Sequence, residues 1–264
     1  MFTAGFVQFS PVRRDVGRNI SAVEGLLAGV RADLLVLPEL ANSGYLYASP
    51  ADLAPYAEAA SGCGPFLSAL KALAARTGAL LVAGFAERGA EGLYNSAAAV
   101  DASGVRQVYR KVHLFAGEND LFLPGNGGFK IVNQAGARVG MMICFDWIFP
   151  ESARTLALGG AQIIAHPSNL VLPWCQSAMV TRSLENGVFT ITANRAGAET
   201  LDDQTLAFTG GSQVVDNHGR CLCRAPAEGE CVLIASFEPR EADDKAVGQR
   251  NNLFLNRRPE MYGR

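Results

Sequence analysis

The most informative segment of the chain covers residues 138–154 and reads RVGMMICFDWIFPESAR. Its apolar run, 139–143, has no helical period, which is typical of a strand that is buried on both faces. Pro150 and Glu151 suit the first turn of a helix, because proline lacks an N–H there at no cost and a carboxylate meets the positive end of the helix dipole. The pattern therefore places Cys144 on a strand-to-helix turn, near N–H groups that lower the pKa of its thiol. We interpret Cys144 as a nucleophile.

The composition indicates a globular α/β protein. Of the 264 residues, 49% are hydrophobic and 18% are charged, which supplies a buried core and shows no signature of disorder. A net charge of -2 argues against binding nucleic acid through a basic face. The N-terminus lacks the features of a signal peptide, and no apolar run approaches the roughly 20 residues that span a bilayer. We therefore expect one cytoplasmic domain over residues 1–264, with no nucleic-acid or membrane partner.

The chain contains six cysteines, an even number. A disulfide framework is not expected in a chain of this size that looks intracellular. Because all six thiols are then expected to be free, the interpretation of Cys144 as the reactive one needs support from other residues. The remaining cysteines are Cys63, Cys175, Cys221, Cys223 and Cys231.

Hydrophobic patterning predicts a mixed sheet, or two sheets packed between helices. Predicted strands are 5–9, 33–37, 79–85, 94–100, 105–109, 129–132, 137–143, 162–165, 188–193, 212–215, 220–224 and 231–237. Predicted helices are 19–30, 52–76 with a break at 61–65, 151–158, 173–186 and 239–247, while 111–128 is predicted to be a loop and 248–264 a polar tail.

Three predicted strands end in different reactive groups. Glu39 follows the run 34–37, at the strand end where open α/β sheets place their ligands, and a desolvated carboxylate there is suited to act as a base. Lys111, one of only four lysines, follows another strand and could stabilise an oxyanion. Taken alone, Glu39 is more readily a solvated carboxylate and Lys111 a surface lysine, and Cys144 is equally well an inert buried thiol. The combination of a carboxylate, an ammonium and a thiol at one sheet edge favours a catalytic site.

These residues lie in segments that resemble the three signature segments of the nitrilase superfamily of carbon–nitrogen hydrolases. The segments are LPE at 37–39, RKVHL at 110–114 and CFDWIFPE at 144–151, and HPSN at 166–169 and RRPEMY at 257–262 are further family-like stretches. The resemblance implies a four-layer αββα sandwich that forms homodimers or higher homo-oligomers, with 248–264 at the dimer interface. It implies a catalytic set of Glu39, Lys111 and Cys144, in which Glu118 positions the substrate and the lysine. It implies no metal and no organic cofactor.

The resemblance also narrows the substrate. Residues 144–146, Cys-Phe-Asp, depart from the Cys-Trp-Glu of true nitrilases and resemble the amidase-type branches, so we expect a small aliphatic amide, cleaved through a thioester on Cys144. Nitriles remain an alternative, and so do N-carbamoyl compounds or ω-amides, for which Arg182 or Arg195 could hold a carboxylate. The residues expected to line a modest apolar pocket are Tyr45, Trp147 and Asn169, while Trp174 is equally well a core or interface aromatic.

Three alternatives belong to other classes. His218, Cys221, Cys223 and Cys231 could form a structural zinc site, although no Cys-x-x-Cys pair is present. A serine or papain-like hydrolase would need His113, His166 or His218 as its base, and the chain has no Gly-x-Ser-x-Gly. A catalytically silent binding protein on the same fold is the third alternative.

Overall fold

Two six-stranded β-sheets form the middle of the molecule in the computed structural model, which describes residues 1–262. The four remaining strands of this part of the chain pair in two small sheets. In chain order the strands are β1 (Phe2–Gln8), β2 (Leu34–Val36), β3 (Leu80–Arg88), β4 (Leu93–Asp101), β5 (Gly104–Arg110), β6 (Lys130–Gln134), β7 (Ala137–Met141), β8 (Ile163–Ser168), β9 (Phe189–Asn194), β10 (Ala198–Leu201), β11 (Gln204–Ala207), β12 (Gln213–Val215), β13 (Cys221–Arg224), β14 (Cys231–Phe237), β15 (Ala246–Gly248) and β16 (Asn251–Asn252).

The helices occupy the outer layers and the loops at the strand ends. The α-helices are α1 (Val16–Leu26), α2 (Pro50–Leu53), α3 (Pro65–Thr77), α4 (Glu118–Leu121), α5 (Pro150–Leu158) and α6 (Cys175–Asn186), and the 3-10 helices are Ala54–Tyr56, Cys144–Ile148, Pro239–Asp243 and Pro259–Met261. No helix within residues 1–262 combines the length and the apolar character that crossing a membrane requires.

Both large sheets follow one topology. The strand order is β14-β1-β2-β3-β4-β5 in the first sheet and β13-β12-β9-β8-β7-β6 in the second. In the first sheet β1, β2 and β3 run parallel, and in the second β7, β8 and β9 do, with antiparallel strands outside them. The crossover helices are α1 and α3 in one half, and α5 and α6 in the other. The chain therefore contains a structural repeat that its sequence does not reveal.

The alternation of side chains along each strand builds the layers. Phe6 and Val36 of the first sheet belong to the same core as Ile163 of the second sheet, between the two sheets. Leu35 points to the opposite face, where it joins Phe66 of α3 in an outer core. Because both faces of the sheet centres are covered, strands such as β2, β3 and β8 are buried along nearly their whole length, which explains why the sequence shows buried runs there and not an alternating pattern. The edge strands β5, β6 and β13 are partly exposed. The predicted αββα sandwich is confirmed by the solved structures described below.

Several local predictions were wrong. The predicted helix 239–247 is a 3-10 helix only over Pro239–Asp243, because the Asp244 carboxylate accepts the N–H of Ala246 and competes with helix continuation. The predicted loop 111–128 contains α4, and the helical run expected at 52–76 is divided between α2, a 3-10 turn and α3. The β15–β16 hairpin begins in the predicted helix and extends into the predicted polar tail, whose last two residues lie outside the described part of the chain.

Candidate active site

The four side chains with predicted catalytic roles meet at one end of the sandwich. Glu39 lies just beyond β2, Lys111 directly follows β5, and Cys144 lies just beyond β7. The Nζ of Lys111 is 2.7 Å from Oε1 of Glu39 and 2.8 Å from each carboxylate oxygen of Glu118. All four residues are buried. The structure thus brings one ammonium, two carboxylates and one thiol into a single water-poor cluster.

Lys111 is held as a cation by its neighbours. Burial alone would lower the pKa of Lys111, but the carboxylates of Glu118 and Glu39 outweigh it and raise that pKa. Burial raises the pKa of Glu118, and the Lys111 ammonium opposes this shift. The ammonium therefore stays charged in a site from which water is excluded, where it interacts strongly with any negative charge that develops nearby.

The carboxylate of Glu39 is held by one oxygen only. Its Oε1 accepts hydrogen bonds from Lys111 and, at 2.7 Å, from the Nδ2 of Asn95, while its Oε2 is buried and has no hydrogen-bond partner among residues 1–262. The Nδ2 of Asn169 donates to the Glu39 carbonyl at 2.9 Å. On the other side, Gly84 of β3 approaches so closely that a Cβ there would lie 2.4 Å from the Cα of Glu39. The carboxylate is thus fixed in place, with one oxygen able to accept a proton.

Asp146, two residues after Cys144 in the chain, fixes the turn that carries the thiol. Its carboxylate accepts hydrogen bonds from the N–H of Ile143 at 2.8 Å and from the hydroxyl of Tyr109 at 2.7 Å, and it lies 2.7 Å from Nδ1 of His113. Tyr109 belongs to the strand that leads to Lys111. Asp146 therefore locks the thiol turn to the strand that supplies the ammonium, a role that sequence reasoning missed although the residue lies inside the third signature segment.

The backbone of Cys144 adopts the left-handed region, with a φ of 38°. This conformation is uncommon for a residue with a side chain and is often found at functional sites. His166 contacts this part of the backbone, with its Nε2 2.9 Å from the Cys144 carbonyl oxygen. Burial lowers the pKa of His166 to about 4, so the ring is neutral near pH 7 and donates from Nε2 to that carbonyl.

The expectation that nearby N–H groups give the Cys144 thiol a low pKa is wrong. Burial raises the pKa of the Cys144 thiol well above its usual value, and the Glu39 carboxylate raises it further. Lys111 and a hydrogen bond from the Asn169 backbone oppose that shift without cancelling it. The thiol is therefore protonated at neutral pH, and it needs a base to become a nucleophile.

None of the three histidines hydrogen-bonds to the Cys144 sulfur within the described residues. His113 pairs with Asp146, His166 contacts the Cys144 carbonyl, and His218 is exposed on a hairpin turn. The serine or papain-like alternative therefore has no histidine in place. Within residues 1–262, no three His, Cys, Asp or Glu side chains are grouped as metal ligands, including those around Cys223.

Two recesses adjoin the cluster and share Phe115 in their walls. The smaller, about 10 Å³, is lined by Phe115, Cys144, Phe145, Trp147, Asn169, Leu170, Val171 and Leu172. The larger, about 270 Å³, is lined by Tyr45, Leu46, Tyr47, Ala48, Phe115, Ala116, Gly117, Glu118, Asp120, Leu121, Leu201, Gln204 and Leu206. Of the predicted pocket residues, Trp147 and Asn169 line the smaller recess and Tyr45 lines the larger. Trp174 lines neither and is 60% exposed.

Neither arginine considered as a carboxylate clamp lines these recesses. Arg195 is buried and paired with Glu199, with Nη1 2.6 Å from Oε2. Arg182 donates to the Trp147 carbonyl from its Nε at 3.1 Å and pairs with Glu185. Both guanidinium groups therefore have structural partners.

Comparison with known proteins gives a consistent result. Residues 3–244 match the family model described as carbon–nitrogen hydrolase. The chain is 39% identical over 267 residues to a nitrilase of Pyrococcus abyssi, covering 100% of both chains. It is 36% identical over 224 residues to an (R)-stereoselective amidase of Pseudomonas sp., covering 83% of this chain and 79% of that one. A solved variant of the amidase from Nesterenkonia sp. AN1, whose active-site cysteine carries the acetamide moiety of fluoroacetamide, matches with a TM-score of 0.82 at 25% identity, covering 98% of this chain and 94% of that one.

Proposed function

Because the chain belongs to the carbon–nitrogen hydrolase family and is an enzyme of that type, we propose that it hydrolyses a small aliphatic amide to a carboxylic acid and ammonia. The observation that carries this proposal is the buried cluster in which Lys111 is bonded to both Glu39 and Glu118 beside the Cys144 thiol. An ammonium, a base with one unbonded oxygen and a protonated thiol are the groups that acyl transfer from nitrogen requires.

In the first half-reaction Glu39 takes the proton of the Cys144 thiol through its unbonded Oε2, and the sulfur attacks the amide carbon. The negative charge that develops on the carbonyl oxygen is stabilised by the Lys111 ammonium and by the backbone N–H of Phe145. Glu39 then gives its proton to the amide nitrogen, the carbon–nitrogen bond breaks, and ammonia leaves. The product is a thioester on Cys144.

In the second half-reaction Glu39 removes a proton from a water molecule, whose oxygen attacks the thioester carbon. The same two donors stabilise the oxyanion, the carbon–sulfur bond breaks, and the sulfur recovers a proton from Glu39. The carboxylic acid is released and the starting thiol is restored. Glu118 keeps Lys111 in place, and Tyr45, Trp147 and Asn169 line the space around the substrate.

A nitrile is the second candidate substrate. The similarity over the full length to a protein named nitrilase favours it, whereas the Cys-Phe-Asp sequence at 144–146 and the similarity to named amidases favour the amide. N-carbamoyl compounds and ω-amides remain substrates to test.

Ammonia release across short amides, nitriles, ω-amides and carbamoyl compounds tests the proposal. We expect the highest kcat/KM for an aliphatic amide, and we expect Cys144→Ala to lower kcat by about 10⁴-fold or more, as loss of a nucleophile does. Iodoacetamide should label Cys144 of the native protein faster than the buried Cys175, because Glu39 lies next to only one of these thiols.

The matched control is Cys175→Ala, which also removes a buried thiol. This variant should keep its activity. Amide hydrolysis that survives in Cys144→Ala, or no ammonia from any compound of the panel, would contradict the proposal.

We also propose that the chain forms a homodimer through residues 248–264. Two apolar side chains of this segment, Leu255 and Met261, are 85% and 64% exposed in the single chain, and a partner subunit on this segment would cover them. Light scattering of the purified protein tests this, since a monomeric mass would contradict it.

A further inference from the structure

The larger recess beside Glu118 is lined mostly by residues that lie outside the catalytic cluster. Its volume is about 270 Å³, against about 10 Å³ for the recess at Cys144. Measured in this way, a volume of about 10 Å³ is roughly what one water molecule needs. An acyl chain bound to Cys144 therefore finds little space beside the sulfur. Phe115 lines both recesses, so the two are neighbours on either side of its ring or along it.

One wall of the larger recess is the β10–β11 hairpin. In this antiparallel pair Glu199 lies opposite Leu206, and Leu201 lies opposite Gln204. Residues paired directly across an antiparallel ladder share a face, and so do residues two apart on one strand. These four side chains therefore share one face, and three of them line the recess. Thr200 and Thr205 bond to each other on the exposed face.

Glu199 connects this hairpin to the segment of Tyr45 and Leu46, which forms another wall of the recess. Its carboxylate accepts the backbone N–H groups of Tyr45 and Leu46, which line the recess, and it is also paired with the buried Arg195. The hydroxyl of Tyr45 in turn donates to Glu118 at 2.8 Å. The two walls and the catalytic cluster are thus joined by hydrogen bonds, and the recess is a built part of the site.

The charges in the lining are of one sign. Among the lining residues Glu118 and Asp120 are acidic, and none is a lysine, arginine or histidine. Glu118 is paired with Lys111, which it shares with Glu39, whereas Asp120 is exposed and forms no ion pair within residues 1–262. The rest of the lining is mostly apolar, with Leu46, Leu121, Leu201 and Leu206 as its largest aliphatic side chains. A carboxylate placed here would meet a negative charge and no cation.

We infer that this recess is the subsite for the far end of the acyl chain. It selects amides whose chain is apolar and ends in an uncharged or cationic group, and it disfavours chains that end in a carboxylate. The inference rests on the proposed amide hydrolysis and names the substrate class of the same site. It assigns Leu201 and Leu206 the apolar contact and Asp120 the discrimination by charge.

The test compares three amides of equal chain length: valeramide, its ω-amino derivative and glutaramate, the half-amide of glutaric acid. We expect kcat/KM for glutaramate to be at least about fivefold below that for valeramide, the factor expected for two like unit charges in contact in a water-like medium. In Asp120→Asn, the ratio of kcat/KM for the ω-amino amide to that for glutaramate should fall by at least about fivefold.

The matched control is Asp203→Asn, which removes the same charge from the exposed turn of the hairpin, outside the recess lining. It should leave the ratio unchanged. A wild-type preference for glutaramate over valeramide, or an unchanged ratio in an active Asp120→Asn variant, would overturn the inference. Failure of the proposed function is distinct, because it would appear as no hydrolysis of any of the three amides.

Discussion

Two buried ion pairs lie near one another in this enzyme. Each contains one buried polar atom without a partner among the described residues, which is the Nε of Arg195 in one pair and the Oε2 of Glu39 in the other, so the difference lies in the carboxylates. In the pair Arg195–Glu199, both carboxylate oxygens are occupied, by the guanidinium and by the N–H groups of Tyr45 and Leu46. In the pair Lys111–Glu39, one oxygen of the carboxylate is bonded and the other has no partner within residues 1–262. A buried polar atom without a partner is costly and therefore calls for an explanation.

This difference distinguishes a carboxylate that supports the structure, Glu199, from one that can react, Glu39. A fully bonded carboxylate has no oxygen left to receive a proton, so Glu199 is suited to holding two chain segments together. Glu39 is fixed by one oxygen and can take a proton on the other, which is the arrangement that a general base requires. Burial and ion pairing are common to both sites, so neither property alone identifies the reacting one.

The strongest test of this distinction replaces each carboxylate by its amide. Glu39→Gln should lower kcat by about 10³-fold, because the base is lost while the shape is kept. Glu199→Gln should lower the free energy of unfolding by about 3 kcal/mol, because it leaves Arg195 buried without its counter-charge, and it should lower kcat far less. Ammonia release and urea denaturation measure the two effects.

Equal losses of kcat in the two variants would contradict the distinction between the two carboxylates. A Glu39→Gln variant that lost stability as much as Glu199→Gln and kept its activity would reverse it. Circular dichroism of both variants controls for a change of fold.

A buried titratable group that belongs to neither ion pair gives the next largest effect. The pKa of His166 falls from 6.5 to about 4 in the folded protein. The unfolded chain therefore binds more protons between these two values, so stability is lost as the pH falls from 6.5 towards 4, by up to about 3 kcal/mol. Urea denaturation across this range should show the loss in the wild type and a shallower slope in His166→Gln.

His218→Gln is the control, because it removes an exposed histidine and should keep the slope of the wild type. Identical slopes in the wild type and His166→Gln would show that the acid sensitivity comes from other groups, the two ion pairs included.

The smallest effect concerns Tyr45, which joins Glu199 of one ion pair to Glu118, the second carboxylate bonded to Lys111. Tyr45 donates its backbone N–H to Glu199 and its hydroxyl to Glu118. Tyr45→Phe cuts only the second bond and should lower kcat about tenfold, since a hydrogen bond to a charged group contributes about that much. Tyr94→Phe removes a comparable bond to Glu91 outside both recesses and should not lower kcat. A loss confined to KM would assign Tyr45 to substrate binding alone.

The fold and the cluster were predictable where the signal is local. Glu39 and Cys144 each follow a buried strand, which can be recognised from an apolar run followed by a turn. Lys111 follows β5, an edge strand that is only partly buried. The resemblance of three short segments to the nitrilase superfamily then added the role of Glu118 and the αββα sandwich to the predictions. The placement of all four side chains in one cluster agrees with that prediction, and their catalytic roles remain to be tested by the variants above.

The remaining features depend on contacts between distant segments. The β10–β11 hairpin turns at Asp202 and Asp203, a pair without the glycine that marks most tight hairpins, so its alternating side chains gave a weak signal. The partners of Asp146 and Glu199 come from segments far along the chain. The pKa of Cys144 was mispredicted for the same reason, since the turn geometry is local and the burial that outweighs it is not.

The left-handed backbone at Cys144 also limits the reactions that this scaffold can evolve. A branched β-carbon is poorly tolerated at positive φ, so threonine could replace the cysteine only with added strain. Serine has the unbranched shape of cysteine and fits the same conformation. The main chain itself therefore disfavours a β-branched nucleophile at this position, before any property of the substrate is considered.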